Sequence, residues 1–242
     1  MRIPLFPLHA VLSPGIALPL HVFEDRYRAL VRFCLDTKSP FGVVLIREGS
    51  EVARGPEPQK LAIAAVGTLA EIREASRYSD GRWDLVAVGG RRFIVRDVHN
   101  AEAPYLVADV DPLEDEPGDR DAAEALVGRV TRRFVDYLRL LRPRDGEAGE
   151  PIDVRVEVDA PGDDGGAQEG GTGLRIPDDP STLSFLLAGI VQVAPDRRQA
   201  LLEAPTAEAR LRAIDALLDR ELLLLSMRLA PYVPERTAAV VN

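Results

Sequence analysis

The sequence predicts an α+β fold in which a β-rich first part, with one helix inserted early, precedes a helical second part. Two observations lead to this prediction. Short runs rich in branched and aromatic residues recur up to residue 110, and apolar residues at helical spacing dominate after Pro112. Hydrophobic residues make up 46% of the 242-residue chain, enough to bury a core in either part. We therefore expect a β-rich subdomain at 1–113 and a helical subdomain at 114–242.

Seven runs in the first part have the composition of β-strands and are separated by turn residues. They are 3–8, 16–20, 41–46, 61–72, 83–88, 91–98 and 105–110. Asp80-Gly81 and Gly89-Gly90 each separate two runs, and both dipeptides readily adopt the positive φ angles of tight hairpin turns. The stretch 61–98 is therefore predicted to be a three-stranded meander within a barrel or sandwich.

A single amphipathic helix is predicted between the early strands. Charged residues such as Glu24, Asp25 and Arg28 lie on one side of it, and apolar residues recur at helical spacing on the other. The apolar positions are Phe23, Tyr27, Leu30, Val31, Cys34 and Leu35. This pattern indicates a helix that packs one face on the strands.

Helical spacing returns in the second part. Asp119 or Asp121 caps a helix that ends before Pro143, Asp179-Pro180 begins another, and helical patterns follow at 197–203 and 211–225. These helices are expected to pack as a small bundle. Residues 143–176 are dominated by Gly, Asp, Glu and Pro, a composition that predicts a mobile acidic loop in which only 152–158 has a strand-like pattern.

Charge is unevenly distributed along the chain, whose formal net charge is −9. Residues 1–110 carry 14 basic and 13 acidic side chains, residues 111–180 carry 9 and 19, and residues 181–242 carry 7 of each. Because the arginines are interleaved with acids, the sequence predicts no clustered basic face for nucleic acid. It also contains no apolar run of the roughly 20 residues that cross a membrane, no signal-peptide pattern and a single cysteine, Cys34. The expected location is the reducing cytoplasm.

The sequence contains no complete catalytic, cofactor or metal motif. Its two lysines, Lys38 and Lys60, follow no GxxxxGK[ST] loop, and no serine lies in GxSxG. The three histidines are widely separated, and His21 is interpreted as a structural side chain that ties a strand end to the following helix. We therefore predict a protein that is not an enzyme, with no catalytic residue, no cofactor and no metal.

A set of short motifs extends from residue 4 to residue 203. They are Pro4-Leu5-Phe6-Pro7-Leu8, Pro14-Gly15, Pro19-Leu20-His21-Val22-Phe23-Glu24-Asp25-Arg26-Tyr27, Phe41-Gly42-Val43, Val66-Gly67-Thr68-Leu69-Ala70-Glu71-Ile72, Asp80-Gly81-Arg82, Gly90-Arg91-Arg92-Phe93-Ile94-Val95, Pro104-Tyr105-Leu106, Leu183-Ser184-Phe185-Leu186-Leu187-Ala188 and Gln199-Ala200-Leu201-Leu202-Glu203. Together they resemble the N-terminal, substrate-binding domain of the Lon protease family. The resemblance implies a PUA-like β pseudobarrel followed by a helical bundle, as a stand-alone relative without the ATPase and protease modules.

The same resemblance implies a module that binds unfolded or exposed hydrophobic polypeptide segments, with other proteostasis components as further partners, because the corresponding domain helps to engage substrates in the full protease. Tyr78, Trp83 and Tyr105 are the predicted contacts, since amphipathic aromatics beside turns are frequent binding anchors. The alternative is RNA or modified-nucleic-acid binding through a basic strip of Arg91, Arg92 and Arg96, as PUA-like folds serve that role elsewhere. No membrane partner is predicted.

The remaining singled-out residues have structural interpretations. Aromatic and apolar residues in the strand and helix patterns are assigned to the core, namely Phe6, Leu8, Phe23, Tyr27 and Phe93. Gly15, Gly67 and Gly90 are assigned to turns or bulges.

Overall fold

The computed structural model describes residues 1–49, 61–141, 155–158 and 173–227. Its strands are β1 (Arg2–Leu8), β2 (Ala17–Val22), β3 (Phe41–Glu48), β4 (Ala62–Ile63), β5 (Val66–Arg77), β6 (Trp83–His99), β7 (Leu106–Leu113), β8 (Arg155–Val158) and β9 (Gly173–Ile176). Its helices are α1 (Asp25–Thr37), α2 (Arg120–Leu140), α3 (Pro180–Ile190), α4 (Pro195–Glu203) and α5 (Ala207–Ser226). The predicted α+β class, with one helix inserted among the early strands, is confirmed.

The described residues belong to two compact units. The first contains Met1–Asp115 and Ala188–Glu203, and the second contains the described residues of Glu116–Leu187 together with 204–227. Helix α4 thus belongs to the β-rich unit, whereas the boundary predicted at 113 places it in the helical subdomain. Local sequence does not show this assignment because it depends on distant contacts, such as the hydrogen bond of 3.0 Å from Gln199 Nε2 to the Val66 carbonyl.

Five strands of the first unit close into a barrel. Their order is β1-β7-β6-β5-β3, and β1 pairs in parallel with β3, with Leu5 opposite Gly42, to complete the circuit. β2 adds to the first half of β6, and β4 adds to β3. Barrel closure pairs both edges of β1, the strand that begins the chain, and this explains why residues 3–8 are all buried.

Helix α1 packs its apolar side on the barrel core, as its pattern predicts. Tyr27, Leu30, Val31 and Cys34 are buried, and the rings of Tyr27 and Phe6 stack with centroids 4.1 Å apart. Four of the five predicted core residues, Phe6, Leu8, Tyr27 and Phe93, are buried. The fifth prediction is wrong, because Phe23 precedes the first turn of α1 and remains 36% exposed.

The predicted turn at Gly89-Gly90 is wrong, because β6 continues through both glycines as one 17-residue strand. Gly89 exchanges hydrogen bonds with the segment before β2, from Gly15 N–H to Gly89 O (2.8 Å) and from Gly89 N–H to Ile16 O (2.9 Å). A Cβ on Gly89 would lie 2.3 Å from the Ser13 carbonyl oxygen, so this close approach accounts for the glycine. The region 61–98 is therefore a β5–β6 hairpin with the short β4 before it.

Glycines at the other predicted positions have three different roles. Gly15 lies in a turn with φ +77°, and Gly90 lies at a bulge where the β5–β6 register shifts. Gly67 lies in neither a turn nor a bulge, because it is in the regularly paired part of β5. A Cβ added to it would be 2.5 Å from the Val43 carbonyl oxygen. Its role is the close packing of neighbouring strands.

An ion-pair cluster holds the start of β1 against β6 and β7. The N-terminal ammonium of Met1 donates to the Val110 carbonyl (2.6 Å), and Arg2 Nη2 lies 3.0 Å from Asp109 Oδ2. His99 Nε2 is 2.8 Å from the same carboxylate oxygen. Hydrogen bonds from Arg2 and then His99 hold the pKa of Asp109 well below its ordinary value.

The second unit contains α2, α5 and most of α3. Each helix begins at a side-chain cap: Asp119 accepts from Ala122 N–H (3.1 Å), Asp179 from Thr182 N–H (2.8 Å) and Thr206 from Ala209 N–H (3.0 Å). An ion pair joins α2 to α5, with Arg133 Nη1 2.7 Å from Asp215 Oδ1. The buried apolar stripes of α2 and α5 are Leu126, Val130, Phe134, Tyr137, Leu211, Ile214 and Leu218.

The acidic segment 143–176 is not a loop throughout: β8 falls within 152–158, where the sequence has a strand-like pattern, whereas the second strand, β9, was not predicted. Residues 155–158 and 173–176 form β8 and β9, a two-stranded parallel sheet in which Val156 is opposite Leu174. The Ile176 side chain is 1% exposed. The rest of the segment, 143–154 and 159–172, lies outside the described residues.

Candidate functional site

The tip of the β5–β6 hairpin is held against the first half of α1. Gly81 makes the turn with φ +87°, as the Asp80-Gly81 signal predicts. Arg28 of α1 contacts this turn: its Nη1 is 2.9 Å from Asp25 Oδ1, and its Nη2 donates to the Asp80 carbonyl at 3.4 Å. The hydrogen bond from Arg28 therefore holds the tip of the hairpin against α1.

One face of the hairpin tip carries a cluster that we call the hairpin patch, formed by His21, Phe23, Tyr78, Arg82 and Asp84. The Tyr78 hydroxyl donates to the Asp84 carboxylate, and His21 Nδ1 is 2.5 Å from Asp84 Oδ1. The His21 ring lies 6.1 Å from that of Phe23 and 6.2 Å from that of Tyr78. Arg82 lies over the Tyr78 ring at 5.6 Å. The patch therefore combines aromatic surface with charged hydrogen-bonding groups.

Exposure and protonation define what the hairpin patch presents. Tyr78 is 45% exposed, and Phe23 also reaches the surface. The hydrogen bond to Asp84 raises the pKa of Tyr78, and the hydrogen bonds from Tyr78 and then His21 lower the pKa of Asp84. Asp84 is consequently an anion at neutral pH, and Tyr78 is a neutral phenol.

Trp83 is on the opposite face of the hairpin from Tyr78, so these two predicted contacts do not form one surface. Trp83 is opposite the buried Val22 in register and packs against the main core cluster. The guanidinium of Arg77 lies 5.8 Å from its ring. Adjacent residues of a strand point to opposite faces, which explains why Asp84 joins the patch while Trp83 faces inward.

Tyr105, the third predicted aromatic contact, lies beside α1. Its ring is 6.3 Å from that of Phe33, and it packs against the core cluster that includes Cys34. Partial burial, and secondarily the neighbouring Cys34, raises the pKa of the Tyr105 phenol. Tyr105 thus belongs to the surroundings of α1, and no contact joins it to the hairpin patch among the described residues.

A cavity of about 400 Å³ opens at the C-terminal end of α1, and we call it the α1 pocket. It is lined by Cys34, Leu35, Lys38, Ser39, Pro40, Glu71 and Ile72. Burial raises the pKa of Cys34 to about 12, so the thiol remains protonated and unreactive at neutral pH. Sequence reasoning missed the pocket because its two walls, α1 and β5, are more than 30 positions apart in the chain.

The three arginines predicted for nucleic acid do not form a basic strip. Arg92 is 2% exposed and donates to the Leu202 carbonyl (2.7 Å) and to Asp115 Oδ1 (3.0 Å). Burial lowers its pKa. Arg96 pairs with Asp111 at 2.8 Å, and Arg91 is exposed. Only Arg91 and Arg96 therefore reach the surface.

Metal-ligating side chains do not cluster in groups of three or more within residues 1–49, 61–141 and 173–227. His21 was predicted to tie the end of β2 to the following helix, but its ion-pair partner, Asp84, lies in β6. No helix in the described ranges has the length and apolar character needed to span a bilayer.

Comparison with known proteins identifies the family. The model of the ATP-dependent protease La (LON) substrate-binding domain matches residues 2–220. This chain belongs to the Lon substrate-binding domain family. A crystal structure of a Lon N-terminal domain protein from Xanthomonas campestris is 26% identical, with a TM-score of 0.58, over 89% of this chain and 98% of that chain. The predicted family and its α+β fold are thus confirmed.

Two further groups of relatives define how much of a Lon protein this chain resembles. The N-terminal domain of Mycobacterium avium complex Lon protease shares the fold at 16% identity, with a TM-score of 0.57 over 90% of this chain and 98% of that chain. Lon protease 2 of Myxococcus xanthus is 29% identical over 94% of this chain and 25% of its own length. The Lon protease of Anaeromyxobacter dehalogenans is 26% identical over 94% of this chain and 24% of its own length. This Lon-family chain therefore spans about a quarter of the length of these relatives.

Proposed function

We propose that this chain is a non-catalytic module that binds unfolded polypeptides through exposed hydrophobic segments. The observation that supports this function best is the hairpin patch, where the exposed rings of Phe23 and Tyr78 lie beside the charged groups of Arg82 and Asp84. Aromatic rings offer apolar area at low conformational cost, and the charged groups can pair with peptide backbone. Membership of a substrate-binding domain family supports the same conclusion.

In this role the chain binds polypeptides and catalyses no reaction. The sequence has no phosphate-binding loop and no serine in a nucleophile motif, and its one thiol has its pKa raised to about 12. The proposed partners are unfolded or partly folded polypeptides and other proteostasis components in the reducing cytoplasm. Tyr78 is the predicted aromatic contact that we retain for the first test, and Phe23 replaces Trp83 beside it.

The test measures binding of reduced, carboxymethylated α-lactalbumin, a permanently unfolded polypeptide, by fluorescence anisotropy. We expect the double variant Phe23→Ala and Tyr78→Ala to weaken binding about tenfold or more, because two exposed apolar contacts are lost. Binding by the unaltered protein should persist when salt rises from 50 to 500 mM, since burial of apolar area does not depend on counterion release.

Arg91→Gln is the matched control, because Arg91 is exposed and lies outside the hairpin patch. Circular dichroism verifies that every variant is folded. Unchanged affinity in the aromatic double variant would rule out the hairpin patch as the binding surface. Loss of binding in Arg91→Gln together with steep salt dependence would instead favour the nucleic-acid alternative, which single-stranded RNA in the same assay then tests directly.

A further inference from the structure

The α1 pocket has the size of a small ligand site and a mixed polar and apolar lining. Its volume of about 400 Å³ lies within the range of roughly 300–1,000 Å³ that such sites occupy. Leu35 and Pro40 supply apolar surface from the end of α1 and the residues after it, and Ile72 supplies it from β5. One wall is the end of α1 with the residues that connect it to β3, and the other is the barrel strand β5.

The inner wall of the pocket favours a neutral occupant. Cys34, at this wall, is 2% exposed, and desolvation by burial raises its pKa to about 12. A charged group placed against the apolar side chains of Leu35, Pro40 and Ile72 would likewise lose hydration. A carboxylate or an ammonium would therefore lose hydration free energy on entering the pocket. An aliphatic side chain would instead displace water from apolar surface.

The entrance of the pocket carries one charge of each sign. Lys38 is exposed and has no ion-pair partner among the described residues, and Glu71 is exposed and pairs with Arg73 at 3.0 Å. An ammonium donates to peptide carbonyls, and a carboxylate accepts from peptide N–H groups. A balanced pair of this kind suits the neutral backbone of an internal polypeptide segment better than a charged chain end.

We propose that the α1 pocket holds one aliphatic side chain of a polypeptide bound to this protein, while Lys38 and Glu71 hydrogen-bond the adjoining backbone. This inference rests on the proposed polypeptide-binding function and assigns it a side-chain pocket with a preference for medium-sized neutral groups. The half-exposed Phe33 and its neighbour Tyr105 extend apolar surface beside Cys34, which gives the rest of the segment a place to lie. Tyr105 thereby retains its predicted role as a contact.

The variant Ser39→Cys makes the inference directly measurable, because position 39 lines the pocket and is partly exposed, whereas Cys34, the only cysteine of the chain, is buried. The probe is a fluorescein-labelled 12-residue peptide of serine and glutamine that carries three leucines. Versions with three alanines or three aspartates are the matched peptides. At pH 7, saturating leucine peptide should slow modification of the thiol introduced by Ser39→Cys by N-ethylmaleimide about fivefold or more, and the unaltered protein gives the background rate. The alanine and aspartate peptides should bind at least about tenfold more weakly. Alanine buries less apolar area than leucine, and aspartate places a charge in the pocket.

A cavity-filling variant gives an independent measurement. Ile72→Trp places a large ring in the pocket and should weaken the leucine peptide about tenfold, whereas Ile94→Trp, at a partly exposed strand position outside the pocket, should leave its affinity unchanged. If the leucine peptide binds but the thiol introduced by Ser39→Cys reacts at its original rate, the pocket is not occupied and this inference fails while the proposed function stands. If neither the peptide nor unfolded α-lactalbumin binds, both fail.

Discussion

Two consecutive arginines of β6, Arg91 and Arg92, have opposite environments although nothing in the local sequence distinguishes them. Alternation along a strand places one toward solvent and the other toward the interior. The interior arginine, Arg92, joins β6 to the Leu202 carbonyl at the end of α4 and to Asp115 after β7. The adjacent pair that the sequence offered as a nucleic-acid contact therefore divides into a surface residue and a structural one.

This division predicts very different effects of the same substitution. Arg92→Gln should lower the free energy of unfolding by about 2–4 kcal/mol, because it removes a buried guanidinium and leaves the Leu202 carbonyl and the Asp115 carboxylate without their charged donor. Arg91→Gln should change it by less than about 0.5 kcal/mol. Urea unfolding followed by circular dichroism measures both. Equal effects would show that the buried guanidinium does not stabilise the fold.

Two structural features of the candidate site could be predicted at the residue scale because they depend on local sequence. The positive φ of Gly81 and the surface position of Tyr78 follow from the turn sequence and an amphipathic ring beside it. The inward position of Trp83 depends on the register of β6 against β2, which sets one face against the core. Register of strands distant in sequence is not encoded in any short window, so the inward position of Trp83 could not be predicted from the residues around it.

At the scale of elements, β6 shows how a turn signal can be overridden by tertiary contact. A Gly-Gly pair is compatible with a hairpin, yet the segment before β2 crosses at Gly89 and hydrogen-bonds it in an extended conformation. The two glycines also differ in surroundings: the atom nearest to an added Cβ is at 2.3 Å for Gly89 and at 3.5 Å for Gly90. The continuity of β6 thus depends on the first glycine more than on the second.

We expect Gly89→Ala to destabilise the protein by about 1–3 kcal/mol, since its Cβ would collide with the Ser13 backbone. Gly90→Ala has ordinary contact distances and no positive φ, so its effect should stay within about 1 kcal/mol, with either sign. The melting temperatures of the two variants, measured by thermal unfolding, test this difference. A Gly90 variant that is the less stable of the two would contradict this account of β6.

Strands β8 and β9 show a different limit of prediction. The composition of 143–176 is that of a solvated loop, and the part that pairs consists of two four-residue strands. Ile176, at the end of β9, is buried, so even this acidic segment contributes a side chain to a core. Average composition over 34 residues concealed a pairing that depends on a few apolar positions.

At the scale of the molecule, the class and order of elements could be predicted because periodicity and turn chemistry are local properties. The grouping of α4 with the β-rich unit could not be predicted, because it depends on contacts between distant residues, such as that between Gln199 and Val66. The α1 pocket was missed for the same reason, as its walls meet only after the barrel closes. Cys34 was correctly predicted to be buried, but its neighbours across the cavity were not predictable from the helix pattern.

The pH dependence of stability is expected to depend in part on Asp109, which joins β7 to Arg2 and His99. Its folded-state pKa is depressed, so the carboxylate contributes stability that is present above its unfolded pKa of about 3.9 and is lost as pH falls below that value. Asp109→Asn should therefore destabilise the protein at pH 7, and the difference from the unaltered protein should shrink between pH 4 and pH 3. Urea unfolding at several pH values measures it. A difference independent of pH would contradict the role of the ionised carboxylate.

The position of β1 also constrains how the chain folds as it is made. β1 precedes the other described strands in the sequence and lies between β3 and β7, with Leu5 opposite both Gly42 and Leu106. It cannot acquire its second neighbour until residue 113 has left the ribosome, which at about 5–20 residues per second leaves its apolar residues incompletely covered for roughly 5–20 s. During that interval the nascent chain itself presents the kind of exposed hydrophobic segment that the finished protein is proposed to bind.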